Sequence, residues 1–212
     1  HNVEKIELIV LGGTWSFYEE SYKIWFVKRC FDAMNDFNVK DNRENLDTSE
    51  ECTWKELEEV QIKNETAYCR NVGLVFETRP DWISESEVKM LRRLGATKIQ
   101  IGIQSLDNKI LKANRRGHLV KETKRAFELL RIAGFKIHAH WMPNLYLSNV
   151  KKDKKDYMKI WRKDFRPDEL KIYPTSLLPN TELEDLFNDK KYIPYTEDEL
   201  KDVLKFCMIH TP

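Results

Sequence analysis

The sequence predicts an α/β fold built on parallel strands, and three observations carry that reading. Apolar, β-prone runs alternate with amphipathic ones along the whole chain. Gly95 and Gly134, two of only seven glycines, each end an amphipathic run and open an apolar one, and they stand 39 residues apart, the length of one β/α unit. Helix starts carry the capping pairs Thr53–Glu56, Ser84–Glu87, Thr181–Glu184 and Thr196–Glu199.

The elements follow in order. A strand over 6–11 ends in Gly12-Gly13-Thr14 and leads to a helix over 18–35. The polar stretch 36–52 reads as a loop, and the Thr53 box starts a helix over 54–68. A strand over 72–78 runs out through Arg79-Pro80, and a helix over 84–94 is closed by Gly95. The strand 98–103 alternates Ile99, Ile101 and Ile103 with Gln100, Gly102 and Gln104. A short helix over 107–113 and a long one over 120–133 precede the strand 136–142. A charged loop over 148–156 leads into a helix over 153–162, then a strand over 169–173, a short helix over 181–188 and a last helix over 196–209. Strand–helix alternation argues for a parallel sheet covered by helices. Five strands cannot close an eight-stranded barrel, so the sheet is open or a partial barrel. No repeat or low-complexity tract divides residues 1–212, which read as one domain.

Composition narrows the function. With 36 Lys+Arg against 35 Asp+Glu, no global positive field announces a nucleic acid, although a local patch can still bind one. At 33% charged and 41% hydrophobic the chain is globular, and the apolar stretch 6–11 is far too short to span a bilayer. Without a membrane segment or a leader, a cytoplasmic protein is expected. Cys30, Cys52, Cys69 and Cys207 are too scattered for a zinc ribbon, a redox pair or an iron–sulfur loop, and read as free thiols.

Parallel β/α sheets place ligands at the carboxyl ends of their strands. Alternation there puts Glu77, Arg79, Gln100, Gln104, His138, His140, Lys171 and Tyr173 on one face, opposite the apolar residues that meet the helices, with Trp141 among the latter. A structural parallel sheet is apolar on both faces, so this convergence points to a site for a polar ligand. Blander readings stand beside it. Glu77 and Arg79 can neutralise each other, His138 and His140 can be core histidines or bind metal, and Gly12-Gly13 can be a plain turn. Lys151, Lys152, Lys154 and Lys155 can form a solvated loop or track phosphates. No dinucleotide fingerprint, phosphate loop or nucleophile elbow is present.

Several segments, in this order, carry a resemblance: Gly12-Gly13-Thr14, Glu77-Thr78-Arg79-Pro80-Asp81, Gly102-x-Gln104-Ser105, Arg116-Gly117-His118, His140-x-Met142-Pro143 and Leu170-Lys171-Ile172-Tyr173-Pro174-Thr175. The chain resembles the radical S-adenosylmethionine domain of the elongator complex protein 3 family, which modifies the wobble uridine of tRNA. The resemblance implies a partial (β/α)6 barrel, with a cysteine loop holding a [4Fe-4S] cluster expected upstream and an acetyltransferase-like domain expected downstream. S-adenosylmethionine yields a radical that abstracts hydrogen from the acetyl group of acetyl-CoA, and a carboxymethyl group is placed on C5 of the uridine. By matching position, Gly12, Gly13, Thr14, Glu77, Arg79, Gln104 and His140 bind S-adenosylmethionine, Lys5 meets acetyl-CoA, and Lys171 and Tyr173 are the catalytic pair near the substrate. The metal site itself has no ligand in this chain. For tRNA, clustering suggests Arg115, Arg116, Lys151, Lys152, Lys154 and Lys155. Other elongator subunits or a second copy are further expected partners. Asn144 and Leu147 fall where the family usually has glycine, so a different backbone is expected there. Two rival readings remain: a non-radical partial-barrel enzyme using Glu77, His138 and His140, and an inactive barrel that holds tRNA or protein.

Overall fold

The structure, a computed structural model, describes residues 3–37 and 51–212. Most of the expected 36–52 loop therefore lies outside the described residues. Five strands form one parallel sheet in sequence order: β1 (Lys5–Val10), β2 (Arg70–Thr78), β3 (Lys98–Gln104), β4 (Lys136–Trp141) and β5 (Glu169–Ile172). The sheet curls into a half-barrel whose edges, β1 and β5, do not pair with each other. Eight helices accompany it among the described residues: α1 (Glu20–Asn35), α2 (Trp54–Asn64), α3 (Glu85–Arg93), α4 (Asn108–Ala113), α5 (Val120–Ile132), α6 (Val150–Ile160), α7 (Glu182–Asn188) and α8 (Glu197–His210).

Local chemistry explains the boundaries. Thr53 and Thr196 make complete capping boxes, and Ser84 and Thr181 accept from the N–H three residues on. Gly95 takes φ +91° at the end of the α3 segment, a conformation that a side chain would strain. Helix α2 stops at Asn64, four residues short of the expected end. The Asn64 amide donates to Cys69 O and its oxygen accepts from Asn71 N, which turns the chain into β2.

The expected loop over 148–156 is largely helical. Asn149 caps α6 by accepting from Lys152 N, and the helix begins at Val150. Its buried stripe is Asp153, Asp156, Tyr157 and Ile160, a helical period that the run of lysines obscures.

The core fills the space between helices and the outward face of the sheet, with Ile99, Ile101, Ile103, Ile137, Ala139 and Trp141 fully buried. Trp141 points to the helices as alternation requires, and its indole N–H donates to Asp156 at 3.2 Å. The same Asp156 carboxylate accepts from Ser105 Oγ and Leu106 N just past β3, and pairs with Lys159 at 2.9 Å. Asp153 accepts from Asn144 N at 2.7 Å, from Tyr195 OH and from Ser148 Oγ. Helix α6 thus pins the loops that leave β3 and β4. Within the second loop, Asn144 and Leu147 both take positive φ, 66° and 70°, the conformation glycine favours.

Candidate active site

The concave face of the sheet is polar in rows set by strand register. Glu77, Gln100, His138 and Glu169 stand side by side on β2 to β5. One step toward the carboxyl ends, Gly102, His140 and Lys171 form the next row. Above these opens a cavity of about 480 Å3 whose lining includes Glu77, Gln104, His140, Lys171 and Tyr173, with Met142 and Leu178. Five of the residues singled out from sequence therefore meet in one space.

Each is placed by an identifiable device. Glu77 accepts a hydrogen bond from the backbone N–H of Gly12, which ties the β1 exit to the cavity. Burial raises the Glu77 carboxyl, against the pull of that bond and of the Lys171 charge. His140 is buried with Nδ1 3.6 Å from Glu77 Oε1. Burial, with His138 and Lys171 adding like charge, lowers its pKa to about 4, so a neutral imidazole faces the carboxylate at pH 7. The Lys171 ammonium lies 4.3 Å over the Tyr173 ring.

Gln104 departs from simple alternation. Register shifts between Gly102 and Gln104, Gln104 takes φ +59°, and its amide folds back over Gly102, where any Cβ would come within 2.6 Å of Nε2. Buried polar atoms without partners cluster on this face: Gln100 Oε1, Gln104 Oε1, His138 Nε2 and His140 Nε2. Such atoms call for a polar ligand or water.

The structure separates the remaining predicted residues. Gly12 and Gly13 stand exposed at the β1 exit beside the cavity, Gly12 at φ +109°, with Thr14 opening the following turn. Arg79 does not pair with Glu77. Its guanidinium makes a bidentate bridge to Asp81 at 3.0 and 2.6 Å and lies across Gly117, outside the residues lining the cavity. Strand parity places Arg79 on the face of Glu77, but Arg79 follows the last residue of β2 and the chain turns there.

Lys5 opens β1 at the opposite end of the sheet, about 17 Å of strand from Val10. Arg115 is exposed and bridges Glu182, whereas Arg116 is half-buried, its pKa lowered by burial and by the neighbouring Arg79. Lys151 and Lys155 are exposed on α6, Lys152 donates to Leu147 O, and Lys154 pairs with Asp202. Asn114 and Tyr146 exchange two hydrogen bonds, so the Arg115 loop and the loop leading to α6 share one rim. Sequence reading missed Asp153 and Asp156, which the i, i+3, i+4 stripe of α6 would have revealed.

An S-adenosylmethionine-sized zwitterion finds here a carboxylate, a cation, uncharged hydrogen-bonding groups and orphaned polar atoms, so the residues fit it. A [4Fe-4S] cluster finds no fit. No group of three possible ligands occurs among the described residues, and burial pushes the Cys207 thiol up to about 12 and the Cys30 thiol upward.

A sequence profile of the Radical SAM superfamily matches residues 7–150. The tRNA uridine(34) acetyltransferase of Methanocaldococcus infernus is 42% identical over 208 residues, 98% of this chain and 36% of the relative. Elongator complex protein 3 of Homo sapiens is 30% identical over 213 residues, 100% of this chain and 36% of the relative. The solved structure of archaeal Methanocaldococcus infernus Elp3 with an N-terminal deletion matches with a TM-score of 0.87 and 41% identity, over 100% of this chain and 46% of that one. The chain spans 36% of the length of these curated relatives. By profile, and by likeness to Elp3 over the whole of this chain, this chain belongs to the radical SAM superfamily.

Proposed function

We propose that this chain is the cofactor- and base-holding part of an enzyme that places a carboxymethyl group on C5 of the wobble uridine of tRNA, using S-adenosylmethionine and acetyl-CoA. The observation that carries the reading is the meeting of Glu77, Gln104, His140, Lys171 and Tyr173 at the carboxyl rim, with orphaned polar atoms among them. The relatives named tRNA uridine(34) acetyltransferase supply the substrate class.

Glu77 receives the ammonium of S-adenosylmethionine, since it is the carboxylate that lines the cavity. Backbone groups of Gly12, Gly13 and Thr14 flank the methionine moiety. Neutral His140 and Gln104 offer hydrogen bonds without adding charge. With Arg79 held by Asp81, Lys171 is the cation facing Glu77, and it stands with Tyr173 toward the substrate. When bound, S-adenosylmethionine supplies the hydrogen-abstracting chemistry, and its cluster ligands come from outside these residues. Lys5 meets an acetyl-CoA phosphate at the far end of β1 rather than in the cavity. Arg115 and the exposed α6 lysines take tRNA phosphates along the shared rim.

The test is formation of 5′-deoxyadenosine by the anaerobically reconstituted full-length parent, with and without acetyl-CoA and tRNA. Glu77→Ala is expected to lower product formation by about 100-fold, the loss of a desolvated charge-assisted contact. Undiminished product from a folded Glu77→Ala enzyme would remove Glu77 from the site. No product from a parent with an intact cluster would favour the binding-barrel reading.

A further inference from the structure

The row below the rim contains a histidine that the reading above leaves without a role. His138 stands between Gln100 and Glu169 in register, and its Nδ1 lies 3.0 Å from Glu169 Oε2. A carboxylate only accepts, so the proton of the neutral ring sits on Nδ1 and Nε2 carries a bare lone pair. Burial keeps the ring neutral, with Lys98 and Lys171 acting in the same direction against the pull of Glu169. Nε2 is buried and has no hydrogen-bond partner among the described residues. One row higher on the neighbouring strand, Lys171 makes no salt bridge among the described residues. Its charge is felt by both histidines. A fixed acceptor and a cation that makes no salt bridge among the described residues thus stand one row apart on neighbouring strands. His138 is 17% exposed and stands one row below the cavity that His140 and Lys171 line, so the row is approached from that cavity, while Lys98 bridges Glu7 and Glu169 across the gap between β1 and β5.

We infer that His138, held by Glu169, is the specificity-determining group for uracil: its Nε2 accepts N3–H of the target base while Lys171 donates to O4. The inference rests on the tRNA-uridine reading above. Uracil presents a donor at N3 beside an acceptor at O4, which is complementary to this pair. Cytosine presents the reverse edge, a bare N3 beside an amine, so acceptor meets acceptor and cation meets amine. A site built from buried polar groups discriminates by leaving them unpaired with the wrong ligand.

The experiment uses the full-length parent and two tRNA transcripts that differ only in U or C at the wobble position, with affinity measured without S-adenosylmethionine. The wild type is expected to prefer the U transcript by about 10- to 100-fold. His138→Phe should bring that ratio close to unity and leave affinity for the C transcript within about twofold, because phosphate contacts are untouched. His138→Gln, which retains an acceptor oxygen, should keep part of the preference, and Glu169→Gln, which frees the tautomer, should lower it. Should His138→Phe not fold, the two glutamine variants decide. An unchanged ratio in the variants, or no preference in the wild type, overturns the inference even where the wild type modifies U at that position. No modification of U by the wild type removes the enzyme reading as well.

Discussion

Lys98 and Lys171 leave the same concave face of the half-barrel, yet their surroundings differ completely. Lys98, at the amino end of β3, lies between Glu7 at 3.1 Å and Glu169 at 2.9 Å, and the pairing raises its pKa. Lys171, at the carboxyl end of β5, makes no salt bridge among the described residues and rests over the Tyr173 ring. Around Lys98 the charges close on one another. Around Lys171 they do not: Glu77 is raised, His140 is neutral, and Gln104 and His140 keep polar atoms without partners. The amino end around Lys98 is a neutralised staple, and from the His138 row to the rim the face holds groups left for a ligand. In barrels of parallel strands the two ends divide labour in this way.

His140 gives the largest expected effect and tests the carboxyl half directly. Its pKa falls from 6.5 to about 4 on folding, so the unfolded chain binds the proton more readily between those values. Stability is fully present above pH 6.5 and is lost as pH falls toward 4, by about 3 kcal/mol at most for this one group. The raised Glu77 acts in the opposite sense, so the difference between wild type and His140→Asn isolates the histidine. Urea unfolding at pH 7 and pH 4.5 should show a steeper acid loss for the wild type. Equal losses would mean that His140 is solvated and that the contrast between the two halves is false.

Exchanging each lysine for methionine sharpens the comparison. Lys98→Met leaves Glu7 and Glu169 facing each other without their cation. As both carboxylates are partly exposed, the expected cost is about 1–2 kcal/mol rather than that of a fully buried pair. The Glu169 carboxyl, held down first by its Lys98 hydrogen bond, should then titrate higher. Lys171→Met should change stability by no more than about 0.5 kcal/mol, because no ion pair is broken. Denaturant midpoints of the two variants in the reverse order would exchange the roles assigned to the two ends.

Periodicity and punctuation made the fold legible. Gly95, Gly134 and the four capping pairs marked helix ends, and alternation in β3 and β4 put Ile99 to Ile103 and Trp141 toward the helices. Glu77, His140 and Lys171 were legible for the same reason, since parity holds inside a strand, whereas Tyr173 lies one residue past β5 and Gln104 sits on a register shift. Past the end of β2 parity fails. Arg79 turns to Asp81 because the ladder has ended, a local ion pair that period-two reasoning does not see. The difference between Lys98 and Lys171 was also invisible, because it depends on carboxylates 71 and 91 residues away in one case and on none among the described residues in the other. On α6 the four lysines hid an inward stripe whose two aspartates hold the rim loops.

One of those loops carries the smallest expected effect. Leu147 is 48% exposed at φ +70°, where a side chain with a Cβ costs about 1–2 kcal/mol. Leu147→Gly relieves that strain, and the greater freedom of glycine in the unfolded chain takes back part of the gain. A net stabilisation of about 0.5 kcal/mol should remain, a rise in Tm of about 1–2 °C for a chain of this size. Leu147→Ala, which keeps a Cβ, should show no such gain. Asn144, at φ +66° in the same loop and held through its backbone by Asp153 and Tyr192, is a fit residue for that conformation, so Asn144→Gly should gain less. A gain at Leu147 alone would show that the strain sits at the exposed end of the loop. Equal gains at both positions would mean that asparagine suits this conformation no better than leucine does, since the Asp153 and Tyr192 contacts reach the Asn144 backbone and survive the change to glycine.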